Sequence, residues 1–157
     1  MARVTSNRLV TDLNNGLKRS DKFNGPALES ENARFDSVGP FSQHSVAASQ
    51  TGVALPNGLG TGALTFVTAH RAGEIVSIAW GLSTAGTHTA GAVQATVGGT
   101  ATGDSVVFDG GGTAAVVDQT TPISFNEGDK LGIKITTDGN FTPTPDIAAW
   151  LNVRWTA

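Results

Sequence analysis

A chain of 157 residues has the length of one domain with an extension; 39% hydrophobic and 15% charged residues, with 20 glycines, suit a β-rich fold of many turns rather than a helical bundle. The absence of cysteine excludes a disulfide framework and cysteine-based metal sites. The net charge of −3 hides an asymmetry: residues 1–22 carry Arg3, Arg8, Lys18, Arg19 and Lys22 against Asp12 and Asp21, a net of +3, whereas residues 37–157 carry four bases against eight acids, a net of −4.

The basic N-terminal segment has no apolar stretch behind it, unlike a secretory signal. In it, Leu9, Leu13 and Leu17 recur every four residues, the spacing of an amphipathic helix stripe. Asn14-Asn15-Gly16 interrupts that stripe, so a short helix and an extended arm both fit. Residues 23–45 read as a tether, because Gly25-Pro26 and Gly39-Pro40 break it. Phe23, Phe35 and Phe41 stand along it as apolar anchors, which pack on their own domain or fill pockets on a neighbour. The expected division is an arm and tether over 1–45 and a β-module over 46–157.

From residue 46 the pattern is short and alternating. Strands are expected at Ser45–Ser49, Gly52–Leu55 and Ala63–Thr68, the last with Leu64 and Phe66 on one face. Glu74–Leu82 follows, with Val76, Ile78, Trp80 and Leu82 sharing a face, then Ala92–Val97, closed by Gly98-Gly99. Ser105–Phe108 and Thr113–Val117 flank a glycine-rich loop. Pro122–Thr137 reads as a hairpin: Ile123 and Phe125 alternate with Ser124, Asn126-Glu127-Gly128-Asp129 turns, and Leu131, Ile133 and Ile135 alternate again. In the last strand, Ile147, Ala149, Leu151, Val153 and Trp155 point one way and Trp150, Asn152 and Arg154 the other. So well-patterned a strand is expected in the centre of a sheet, since its apolar surface would invite aggregation at an edge. The fold class is all-β, an antiparallel sandwich or barrel.

The segments GEIVSIAWGLSTAGTHTAGAVQATVGG, PISFNEGDKLGIKITTDGN and IAAWLNVRW, between Gly73 and Thr156, resemble the jelly-roll modules of tailed-bacteriophage virions, themselves similar to the trimeric tumour-necrosis-factor-like jelly roll. The resemblance covers a little over half the chain and implies an antiparallel jelly-roll sandwich. Such modules occur as capsid decoration, or cement, proteins and as domains of tail fibres and tail tips. The short chain with an arm favours the first. The resemblance then implies a structural virion protein on the capsid surface, a homotrimer at three-fold positions whose partner is the major capsid protein. The arm contacts would be Arg3, Arg8, Leu9, Leu13, Leu17, Lys18, Arg19, Lys22, Phe23, Phe35 and Phe41. The alternative is a receptor- or glycan-binding head of a tail or fibre, with its site in the loops Asp109–Thr113 or Asp138–Pro145.

No residue cluster points to a reaction, a cofactor or a metal, and an enzyme is not expected. His44, His70 and His88 lie on separate segments with no i, i+4 pair, and read as ordinary loop histidines. Asp104, Asp109, Glu127, Asp129 and Asp138 sit at turn positions, without the spacing of a calcium loop of about 12 residues. Gly58-Leu59-Gly60-Thr61-Gly62 runs into a strand, so it offers a phosphate no helix N-terminus. The acidic body does not suit nucleic acid, and no apolar run approaches the about 18 residues of a membrane helix. Trp80 and Trp155 fall on apolar faces as core. Trp150 falls on the opposite face beside Arg154, which marks these two as the expected subunit interface.

Overall fold

The computed structural model describes residues 35–58, 64–84, 91–108, 112–141 and 145–156. The arm positions Arg3, Arg8, Leu9, Leu13, Leu17, Lys18, Arg19, Lys22 and Phe23 lie outside them. Among the described residues the chain forms β1 (Phe35–Gln43), β2 (Val53–Ala54), β3 (Val67–Thr68), β4 (Gly73–Leu82), β5 (Gly91–Val97), β6 (Thr100–Ala101), β7 (Val106–Val107), β8 (Ala114–Phe125), β9 (Lys130–Thr137) and β10 (Ile147–Trp155). Every pairing is antiparallel.

One sheet has the order β1-β10-β4-β8 and the other β2-β9-β5-β6. In the second sheet β3 continues the line of β2 along the same edge of β9, and β7 lies beside β5 on the side that carries β6. The apolar face of β10 is buried along its length, from Ile147 at 2% exposure to Trp155 at 5%. β10 has a neighbour on each side, as its pattern predicts. Phe41 of β1 and Ile75 and Ile78 of β4 share one core with Ile133 and Ile135 of β9 and Val93 of β5, so the inner faces of both sheets bury one another. Each such side chain contributes about 1.5–3 kcal/mol by leaving water. Trp80 meets Phe108 at a tilt of 57°, with ring centroids 4.8 Å apart, and Phe125 meets Trp155 edge-on at 5.6 Å.

Several sequence expectations are corrected here. Residues 35–43 are not a tether: β1 is a nine-residue strand paired with β10, and the compact unit begins at Phe35. The Gly39-Pro40 pair that suggested a break is absorbed as a register shift between Val38 and Phe41. Phe41 is fully buried and belongs to the core, not to an external anchor. Ser45–Ser49 is a corner rather than a strand, with positive φ at Ser45 and Ser49. The expected Ala63–Thr68 strand is described from Leu64; of Leu64–Thr68 only Val67–Thr68 is a strand, and Leu64 is 54% exposed.

In β4 the ladder shifts register between Ile75 and Ser77. Val76 is the extra residue, so Ile75 takes the core position that strict alternation gives to Val76. Across from it β8 skips from Ile123 to Asp118, so the two strands expected at Thr113–Val117 and Pro122–Phe125 are one strand with an irregular middle.

The expected Pro122–Thr137 hairpin is the largest correction. β8 pairs with β4 in one sheet and β9 with β5 in the other, so Asn126–Asp129 carries the chain between sheets. Ala69 receives this turn: its N–H donates to the Asp129 carbonyl and its carbonyl accepts the Gly128 N–H, both at 2.8 Å. The true two-residue hairpin is β5–β6. Gly98 and Gly99 take φ of 62° and 81° there, the pair of left-handed residues that a tight primed turn requires.

A candidate interaction face on the outer side of the four-stranded sheet

The even positions of β10, Ala148, Trp150, Asn152 and Arg154, alternate with its core positions and stay part-exposed on the outer side. Cross-strand register lines them up with residues of β1, β4 and β8. Phe35, Arg154, Glu74 and Ser124 form one row, and Ser37, Asn152, Ser77 and Asp118 the next. Trp150, Ala79 and Val116 form a third row, which meets the Gly39-Pro40 shift of β1. Ser42, Ala148, Gly81 and Ala114 form the fourth. In the last two rows alanine and glycine flank a single indole, with Ser42 at the β1 end and the exposed Val116 at the β8 end.

The second row is a polar ladder. Ser37 Oγ donates to Asn152 Oδ1 at 2.8 Å, and Asn152 Nδ2 donates to Ser77 Oγ at 2.9 Å. Three strands are tied by side chains there, and the asparagine amide uses both an acceptor and a donor. In the first row the Arg154 guanidinium is bonded to the Glu74 carboxylate, part-buried. Its charge is matched within the chain, so Arg154 presents a neutral pair rather than a free cation. Above these two rows lies an open depression of about 380 Å³, lined by Phe35, Asp36, Ser37, Val76, Ser77 and Asn152. Phe35, 62% exposed, and the bulged Val76 supply its apolar lining, and the serine–asparagine ladder supplies polar lining.

The structure thus gathers three of the sequence-selected residues, Phe35, Trp150 and Arg154, on one face, with Phe35 and Arg154 directly opposed across β1 and β10. Phe41 points to the core instead. Sequence reasoning missed Ser37, because its segment reads as a tether. It missed Ser77, which alternation sets on the face opposite Ile78 and Trp80 but whose partner Asn152 only the strand order supplies. Asn152 carried a signal, a polar residue on the wet face of a central strand.

Elsewhere several acids and histidines make local contacts. His44 Nδ1 lies 3.1 Å from Asp146 Oδ2, and Asp146 Oδ1 accepts the Ser45 N–H at 2.9 Å. The Ser45 N–H, then the His44 side chain, hold the Asp146 carboxyl below the usual carboxylate value. Asp104 is lowered likewise, by the Thr120 N–H that its carboxylate accepts at 2.6 Å. His70 packs on Trp155 at a tilt of 48°, with ring centroids 4.4 Å apart. His88, Asp109 and parts of both loops named for a glycan site lie outside the described residues. Comparison with protein-family models, with curated proteins and with solved structures finds no match for this chain.

Proposed function

We propose that the chain is a structural virion module with a jelly-roll fold, which binds the outside of a phage capsid as a homotrimer at three-fold positions and reinforces it. Strand order supports the fold. Counting β2 with β3 and β6 with β7 as interrupted single strands leaves eight positions in two four-stranded sheets, and the chain repeatedly changes sheet, as between β8, β9 and β10. The observation that carries the function is the outer face of the β1-β10-β4-β8 sheet. There one part-exposed tryptophan stands beside alanine and glycine positions, and an exposed phenylalanine and an exposed valine border it. Tryptophan and phenylalanine on such a face suit an interface core, with the depression receiving a neighbour's side chain. The basic segment 1–22 supplies a second contact on the major capsid protein, and several weak contacts held on one trimer add through effective concentration.

Two measurements on the full chain test this reading. Light scattering at low concentration should give the mass of a trimer, and Trp150→Asp should abolish that three-fold association. Co-sedimentation with undecorated capsids of the phage that carries the chain should show binding that is lost on deletion of residues 1–22 with the β-fold intact. Absence of binding by the wild-type chain would falsify the capsid role.

A further inference from the structure

The two outer edges of the four-stranded sheet are built differently. At β1 the register shift at Gly39-Pro40 interrupts the edge, and the strand is sewn to residues 56–58 by the Ser42 N–H to the Pro56 carbonyl and the Gly58 N–H to the Pro40 carbonyl, both at 2.8 Å. At the other edge, β8 is occupied near its middle, where Asp104 accepts the Thr120 N–H and donates its own N–H to Gln119 Oε1 at 2.7 Å. Among the described residues, Ala114–Asp118 of β8 has no such protection. Its register with β4 runs unbroken from Gly81↔Ala114 to Ser77↔Asp118, and β4 is its only strand partner among the described residues. It holds no proline, lysine or bulge, the features that usually guard an edge. Instead Val116 is 65% and Val117 37% exposed.

We propose that Ala114–Asp118 pairs with the same segment of a second copy, the two strands adding antiparallel across a two-fold axis. Edge backbone groups call for a strand rather than a compact surface, since only a strand matches their repeating donors and acceptors. The sequence Ala-Ala-Val-Val-Asp fits its own antiparallel copy. Centred on Val116, the pairing sets Val116 against Val116, Ala115 against Val117 and Ala114 against Asp118. In the three central pairs aliphatic residues face one another, as favourable cross-strand pairs do, and at each end Ala114 faces Asp118. The two Asp118 carboxylates fall four residues apart along the strand, about 13 Å, which exceeds the screening length of about 8 Å at physiological salt. The Val116–Ala79–Trp150 rows of two copies then run into one another across a continuous sheet. This contact is two-fold, so it joins copies that a three-fold association leaves separate, and it does not rest on the capsid reading.

The chain has no cysteine, so Val116→Cys introduces a single exposed thiol. Under mild oxidation the full-length variant should form a disulfide-linked dimer roughly tenfold faster than Val53→Cys, through the raised effective concentration of paired strands. Val53 is the control because it is 39% exposed on the other sheet. Val116→Lys, which opposes like charges across the axis, should lower the dimer-linked fraction in sedimentation velocity over a concentration series, while Val53→Lys leaves it unchanged. Equal cross-linking of the two cysteine variants, or a self-association that Val116→Lys does not move, overturns the proposal. A wild-type mass that stays at one copy at every concentration does the same.

Discussion

Gly39 and Trp150 meet across the β1–β10 ladder with no space for a side chain between them: a Cβ on Gly39 would stand 3.1 Å from the indole Cδ1 and 3.0 Å from the Ala149 carbonyl oxygen. Gly39 also has a φ of 141°, which L side chains rarely adopt. The same glycine therefore shapes the β1 edge and seats the tryptophan of the outer face. Gly39→Ala should destabilise the fold by about 1–3 kcal/mol and shift the indole. Urea unfolding followed by tryptophan fluorescence reads both effects. An unchanged midpoint would show that β1 can relax around the added methyl group.

Two phenylalanines of β1, six residues apart, should respond in opposite ways. Phe41 is fully buried and Phe35 is 62% exposed. Phe41→Ala should cost about 3–5 kcal/mol, as emptied aromatic core positions do. Phe35→Ala should change stability by no more than about 0.5 kcal/mol. If Phe35 serves the outer face, its substitution should instead weaken self-association in light scattering. Comparable stability losses at both positions would mean that Phe35 is covered in the folded protein.

Two lowered carboxylates give the stability a defined acid dependence. Asp146 is held down by the Ser45 N–H and then by His44, and Asp104 by Thr120. A folded pKa below the ordinary value of 3.8 means that the charged form is favoured by folding, so this contribution is complete above that value and disappears as pH falls through the folded pKa. The melting temperature of Asp146→Ala should therefore lie below wild type at neutral pH, and the gap should narrow below about pH 4. Asp104→Ala should behave in the same way. A gap independent of pH would assign the effect to lost packing rather than to charge.

How far the fold could be read in advance depended on whether a residue's role was local. The alternation of β10 and β9 names their buried faces, and Gly98-Gly99 marks a two-residue turn whose dihedral demands are its own. Ile75 and Val76 were not legible. A bulge is fixed by the neighbouring strands β8 and β10, and nothing within GEIVSIAW says which residue is extra. Phe35–Gln43 read as a tether because Gly39-Pro40 breaks most strands, yet an edge strand tolerates proline where its missing N–H faces away from the ladder. On the candidate face, Trp150 and Arg154 were legible from the last strand alone. The Ser37–Asn152–Ser77 ladder was not, since its two bonded pairs are 115 and 75 residues apart and meet only through the order β1-β10-β4.

The passage between sheets at Asn126–Asp129 offers a test of that distinction. Within the turn, Asp129 Oδ2 accepts the Asn126 N–H at 2.7 Å, and Gly128 holds a φ of 87° with nothing among the described residues within 4 Å of where a Cβ would stand. Adding a methyl group there meets no neighbour, so the cost of Gly128→Ala is conformational alone, about 1–2 kcal/mol for a left-handed L residue. Asp129→Ala removes a side-chain bond to the backbone and should cost about 0.5–1.5 kcal/mol. Because this turn joins the two sheets rather than two paired strands, either loss should lower the urea midpoint with the slope unchanged, as one cooperative unfolding of both sheets requires. The amides of β5 and β10 should then lose hydrogen-exchange protection together. Loss confined to β8 and β9, with β10 untouched, would instead mark the turn as a local hairpin, and the two-sheet topology would be wrong.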